Sequence, residues 1–553
     1  MSHSDFQRRV DESAEAVWNA LIEPQREFEG DTGANMAARR SEAVAESARR
    51  EGLYEGLSDE AVGVVANVHA NCIREHAKEH GIPDNFALAA MAQSVENTIA
   101  FRYKEMDGYR DAQKGVYESG DLSPSDGITI LQRQVALVMP VFLRTITQAM
   151  TTAIPGHVNE ALIYRITRKT ASKFGDYEAN TPITPATFSG QYTEMDQRFA
   201  PGTPDGTETG AAPTANFFQI TAATILGQTC PIRKKYVKIL YEGMIVAGDN
   251  GEGQIYGTFK NGVGADVSVT GTADYVDGIV TPLFSVAPEA GSTVYVSVEW
   301  DLERKPSITP LIAHEQEERR VRPHVSAIGA DATMFSYYML ERELSLNLRN
   351  LNTSGAINTL AASKDQKILG DLRMIAAFSG YGTFDWYFEP PASGFAPKIP
   401  ADYYVAVKEL LMEINAQISK NTPDGVGLSG LVVPTFASLK LMAMPGNENF
   451  APAVSIANSQ MHPFYAGKLF GRWDLYVDPL APDDRKCLCY AKGTSPGMCG
   501  YLSSIAISPV TVNHPVTRAE MANSFTIWGL DYRDINPWPD AKKYFAEIEL
   551  KDR

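Results

Sequence analysis

Gly493-Thr494-Ser495-Pro496-Gly497 fits G-x-S-x-G, the string in which a serine on a strand-to-helix elbow attacks an acyl carbon. That elbow also recruits the backbone N–H of the following residue into its oxyanion hole. Pro496 has no N–H, so the string is expected to be a turn between strands. Cys487, Cys489 and Cys499 are weak candidates for a metal site, since three thiolates can hold zinc. Their spacing does not match standard knuckles, and C-x-C on a strand puts both sulfurs on one face, where cysteine is a common small core residue. Buried thiols are therefore expected rather than ligands. His314, His324, His462 and His514 are scattered, Asp249 to Gly253 lacks the alternating ligands of a calcium loop, and no phosphate-cradling or dinucleotide string occurs. These readings predict no catalytic residue, no metal and no cofactor. The cluster left to carry function is the run Glu315-Gln316-Glu317-Glu318-Arg319-Arg320-Val321-Arg322. Glu315, Glu317, Glu318, Arg319, Arg320 and Arg322 are candidates for ion pairing between subunits, with a solvated face the equal alternative, because isolated exposed pairs contribute little.

The elements that must position such a run begin with composition. The chain has 553 residues, 44% hydrophobic, enough for roughly three to four domains. Lys plus Arg number 50 against 67 Asp plus Glu, and the net charge of -17 without a basic run argues against a sequence-specific nucleic-acid binder. Five cysteines are too few for a disulfide framework and point to a reducing compartment. The start Met1-Ser2-His3-Ser4-Asp5 lacks the pattern of a signal peptide, and no apolar run reaches the ~20 residues of a membrane span. A soluble protein or part of a soluble assembly is expected.

Residues 1–125 read as successive helices, with apolar stripes at Ala14, Val17, Trp18 and Leu21, at Val64, Val65, Val68 and Cys72, and at Leu88, Met91, Ala92, Val95 and Ile99. From 173 to about 230 the chain turns rich in Thr, Pro, Gly and Ala, and Pro182, Pro185, Pro201, Pro204 and Pro213 forbid continuous helix. Nearly 60 such residues predict a segment that is either disordered or a projecting arm ordered by a partner. A β-rich module follows over about 236–301, with a hairpin turn at Asn261-Gly262. Leu340, Leu344, Leu348 and Leu351 then predict a long helix over 330–362. Beyond it come a helix capped by Asp402, a buried strand Leu428–Val433, a helix capped by Thr435, and strands Trp473–Val477, Lys486–Ala491, Tyr501–Ile507 and Ser524–Leu530. Mixed elements without a βαβ repeat predict an α+β fold.

The C-terminal half resembles the major capsid and vertex proteins of T-even-type tailed phages over roughly 400 residues, carried by the order of short motifs. These are Tyr403 to Leu411, Gly430-Leu431-Val432-Val433-Pro434-Thr435, Tyr465-Ala466-Gly467-Lys468-Leu469, Trp473-Asp474-Leu475-Tyr476-Val477-Asp478, Tyr490-Ala491-Lys492-Gly493, Gly500-Tyr501, Ser508-Pro509 and Ile535-Asn536-Pro537. The resemblance implies an HK97-like fold with a helical N-terminal region at 1–125, an N-arm at 126–172, an extended loop at 173–235 and an inserted β module at 236–305. A peripheral domain with its spine helix would occupy 306–399, an axial domain 400–500, and the return to the peripheral domain 501–553. It further implies a virion protein assembled in the host cytoplasm into hexamers and pentamers around double-stranded DNA, without sequence-specific binding. Portal, scaffold, vertex and decoration proteins are the implied partners. Family processing by a prohead protease would fit Leu21-Ile22-Glu23 or Leu53-Tyr54-Glu55. The alternative is a surface carbohydrate-binding protein using the β module.

Overall fold

A computed structural model describes residues 3–27, 36–101, 135–136, 138–143, 145–210, 217–260, 264–333, 348–387, 400–453, 462–513 and 522–551. Two compact units result, Met1–Arg165 with Gln316–Arg553, and Ile166–Glu315.

The first unit begins with helices α1 (His3–Val17), α2 (Met36–Glu51), α3 (Asp59–His80) and α4 (Asn85–Ala100). The stripes on α1 and α4 face inward as expected: Ala14, Val17 and Leu21 are buried, and so are Leu88, Met91, Ala92, Val95 and Ile99. The stripe expected on α3 is displaced. Val64 is 66% exposed and Val68 39%, while Val62, Val65, Ala66, His69, Ala70 and Ile73 are buried. The inward line follows helical spacing but runs through a histidine. Burial keeps His69 neutral and its ring nitrogens are both satisfied, with Nε2 donating to the Val135 carbonyl (2.9 Å) and Nδ1 accepting from the Tyr54 hydroxyl (2.8 Å). Asp84 caps α4 by accepting from the Ala87 N–H at 2.7 Å. The alanines at 87, 89, 90 and 92 are all buried. They let α4 lie against both α1 and the strand Tyr501–Asn513. There Asn97 donates to the carbonyls of Gly156 (2.9 Å) and Ala506 (3.1 Å). Of the two protease tripeptides, Leu21 and Ile22 are buried and Pro24 follows Glu23, while Tyr54 is the buried partner of His69.

A seven-stranded mixed sheet runs in the order Thr383–Tyr387, Phe545–Lys551, Lys486–Tyr490, Gly430–Pro434, Trp473–Asp478, Phe464–Leu469 and Phe450–Pro452. Gly430–Pro434 is buried throughout, which accounts for its uninterrupted apolar sequence. Gly467 sits at a bulge with φ 145, where a Cβ would strike the Ala451 carbonyl. Helices α5 (Leu348–Ala377), α6 (Pro400–Asn421) and α7 (Thr435–Met442) contribute Leu369, Leu372, Leu411, Ile414 and Leu441 to the same core. The long helix thus starts and ends later than the 330–362 expected, because His324–Thr333 is a strand. Leu340 and Leu344 lie outside the described residues. Pro434, not Thr435, stands at the N-cap of α7, and α6 begins at Pro400, before Asp402.

The antiparallel strands His324–Thr333, Ala522–Ile535 and Tyr501–Asn513 form a separate sheet. Helix α5 joins both sheets through charge. Lys364 Nζ meets Asp531 at 2.8 Å, and Arg373 meets Asp478 at 2.5 Å; the two aspartates are 4% and 0% exposed. Ser326 also donates to Asp531, and Gln366 to Asp478, so both carboxylates are multiply bonded.

The second unit is one antiparallel sheet of eight strands, ordered Asp196–Phe199, Val294–Glu299, Lys238–Tyr241, Met244–Asp249, Gln254–Lys260, Asp266–Asp274, Ile279–Phe284 and Ile220–Thr221. Alternating Val294, Val296 and Val298 point into its core beside Trp300. Glu242 and Gly243, both at positive φ (50 and 80), close the Tyr241–Met244 hairpin as a primed turn. The segments expected as an extended loop (173–235) and an inserted β module (236–305) fall within one compact unit. Only short strands form within the first, Asp196–Phe199 and Ile220–Thr221, and they occupy the two sheet edges. Asn261-Gly262 and Pro213 lie outside the described residues.

Candidate assembly surface

The charged run is a strand, Ile312–Val321, paired with Ala161–Thr170 in a two-stranded ribbon on which the division between the two units falls. Val321 is buried and Ala313 and Glu317 half-buried, all on one face, whereas Gln316, Glu318, Arg320 and Arg322 on the other face are exposed, as are Glu315 and Arg319. Glu317 accepts from Trp538 Nε1 at 2.8 Å. The Arg165 guanidinium lies 5.8 Å from the centre of the Trp538 ring and meets Asp540 at 2.8 Å, with Lys543 on the same carboxylate at 3.1 Å. Burial alone would raise the Asp540 pKa; the hydrogen bonds from Arg165 and Lys543 outweigh it and hold the carboxyl below its ordinary value.

All six candidate residues are therefore brought onto or directly beside one strand. Arg320 reaches Glu160 at 3.2 Å and Glu318 at 3.7 Å, and Glu315 pairs with Lys169. Arg319 and Arg322 have no ion-pair partner among the described residues. Sequence reasoning missed Arg165, Trp538 and Asp540, which fix the face of the strand. No local signal marks them, since Trp538 and Glu317 are 221 residues apart.

The thiols are divided. Cys487 and Cys489 lie in the core of the seven-stranded sheet and Cys499 in the core beneath the three-stranded one. Burial raises all three thiol pKa values, that of Cys499 to about 12. Ser495 lies in a turn closed by the Met498 N–H on its carbonyl at 2.9 Å, and Asn536 fastens the turn by donating to the Pro496 carbonyl at 3.0 Å. No group of three or more His, Cys, Asp or Glu able to hold a metal occurs among the described residues. No helix there is long and apolar enough to cross a membrane.

A domain of unknown function, DUF8615, matches residues 2–145. Protein IncB of Escherichia coli is 29% identical over 139 residues, spanning 25% of this chain and 67% of that protein. Solved structures that align with the chain include the icosahedrally averaged capsid of jumbo bacteriophage PhiKZ, at 10% identity and TM-score 0.31, covering 71% of this chain and 89% of that one. The capsid of a native GTA particle aligns at 15% identity and TM-score 0.25, covering 43% and 76%. A chain of Microbacterium phage Oxtober96 aligns at 9% identity and TM-score 0.30, covering 44% and 77%.

Proposed function

We propose that the chain is the major capsid protein of a tailed bacteriophage, an HK97-like shell subunit that self-assembles into hexamers and pentamers around double-stranded DNA. One observation carries this reading: motifs resembling the T-even-type family, spread over 403–537, fall on α6, on adjoining strands of the seven-stranded sheet and at the Asn536 turn, with Gly500-Tyr501 opening and Ser508-Pro509 within the strand Tyr501–Asn513 of the three-stranded sheet. Gly430–Pro434 and Trp473–Asp478, quoted from separate motifs, are parallel neighbours with Leu431 opposite Leu475 and Val433 opposite Val477. On this reading residues 400–500 are the axial domain, and residues 306–399 with 501–553 the peripheral domain. Residues 126–172 are the N-arm, 173–235 the extended loop and 236–305 the inserted module, the last two lying within the compact unit Ile166–Glu315. The protein resides in the virion after assembly in the host cytoplasm, with itself as principal partner and portal, scaffold, vertex and decoration proteins as further ones. Its role is structural, not enzymatic.

Negative-stain microscopy of the purified full chain tests this directly. Spheres, tubes or sheets with a hexagonal lattice are expected. A chain that stays monomeric at every concentration while binding selectively on a glycan array would replace the capsid reading with the carbohydrate-binding one.

A further inference from the structure

The charges along Ile312–Val321 and on Arg322 just after it are segregated: Glu315, Glu317 and Glu318 precede Arg319, Arg320 and Arg322. One backbone edge of this strand is taken by Ala161–Thr170, and no strand pairs with the other edge among the described residues. An open edge protected by charge carries one sign along its length, so that copies repel. Here two copies repel when parallel and attract when antiparallel. We propose that, given the shell role above, this strand pairs antiparallel with the same strand of a second copy across a local twofold axis.

The register follows from symmetry. A twofold perpendicular to a strand pair keeps each side chain on its own face, so one residue must stand opposite itself. Centred on Arg319, the pairing sets Glu318 opposite Arg320 in both directions, and Gln316 opposite Arg322, all on the exposed face. On the other face each Arg319 has Glu317 of the second copy as its diagonal neighbour, within reach of long side chains. Centring on Glu318 would set Glu317 opposite Arg319 but oppose Glu318 to itself and leave no opposite-charge pair on the face of Gln316, Glu318, Arg320 and Arg322, whereas the Arg319-centred register, which opposes Arg319 to itself, gives two such pairs there. The Trp538–Glu317 hydrogen bond and buried Val321 already fix which face looks outward.

Glu318 and Arg320 also touch within one chain at 3.7 Å. The test must separate that contact from the contact between copies. Glu318→Arg and Arg320→Glu are made as separate full-length chains, matched for thermal unfolding, and assembled alone and as an equal mixture. Each alone places like charges against each other and should lower particle yield about tenfold or more. The mixture should recover it, because the arginine introduced in one chain then faces the glutamate introduced in the other, while each chain still carries like charges internally. Low yield from the mixture would assign the effect to the contact within one chain and overturn the pairing. Parental yield from both single variants would also overturn it while leaving the capsid reading intact, whereas a parent chain forming neither particles nor dimers would overturn both. As an independent check of register, Arg319→Cys should form a disulfide-linked dimer in oxidised particles and Gln316→Cys should not. Particles without the crosslink at position 319 would refute the register.

Discussion

At the scale of single residues, His69 and Asp365 set opposite pH limits. His69 is fully enclosed, and burial lowers its pKa to about 4, the dominant cause over the hydrogen bond to the Val135 carbonyl. The neutral ring is favoured in the folded state, so its contribution is fully present above the unfolded value of about 6.5 and is lost as pH falls toward 4. Urea unfolding followed by circular dichroism should show the helices weakening by up to about 3 kcal/mol between pH 7 and 4, and His69→Gln should flatten that slope. Asp365 is the reverse case: burial raises its pKa to about 6, against the hydrogen bond from Thr147 at 2.9 Å. Stability from this group is present below the unfolded value near 3.9 and is lost as pH rises through 6. Asp365→Asn should therefore raise the urea midpoint at pH 8, by at most about 2 to 3 kcal/mol in free energy, and change little at pH 4. Sequence reasoning read the cysteines as buried thiols but placed the α3 stripe on Val64, Val65, Val68 and Cys72, of which Val65 alone is fully buried. Counting apolar residues omits a histidine whose polar atoms are satisfied by Tyr54 and a distant carbonyl.

At the scale of elements, α5 depends on charges held inside the fold. Lys364 and Arg373 meet aspartates 167 and 105 residues away that are 4% and 0% exposed. Removing one partner of such a pair strands the other, which costs about 3 to 5 kcal/mol, while an exposed pair is worth under about 1 kcal/mol. Arg373→Ala should consequently destabilise far more than Lys367→Ala, whose partner Asp371 lies one turn away at the surface, as comparative urea titrations would reveal. The C-terminal strands were legible because their alternation and flanking turns are local. The start of α5 was not, since leucine spacing continues into a region preceded by a strand that only its pairing with Ala522–Ile535 reveals. The charged run was legible as a cluster; its strand conformation was not, because it follows from pairing with residues 161–170.

At the scale of the whole molecule, residues 166–315 behave as an insertion. The Ala171 N–H donates to the Leu311 carbonyl at 2.7 Å, so the chain leaves and returns at nearly the same point. Replacing residues 172–310 with a short glycine-containing turn should leave the remaining unit folded, with a cooperative melt, while abolishing particles seen by microscopy. Sequence reasoning located the Pro-rich change of composition but assigned its two parts separately, because edge strands of two to four residues carry no periodicity.

The seam between α4 and the strand Tyr501–Asn513 also has a meaning in time. Asn97 waits for Ala506, a separation of 409 residues, which at roughly 5 to 20 residues per second takes the ribosome on the order of 20 to 80 seconds. Throughout that interval the alanine-rich side of α4 that packs on this strand is already synthesised and the strand is not. The nascent chain must therefore be sheltered during its own translation, and raising the supply of a host chaperonin should increase soluble yield, measured as the supernatant fraction after lysis.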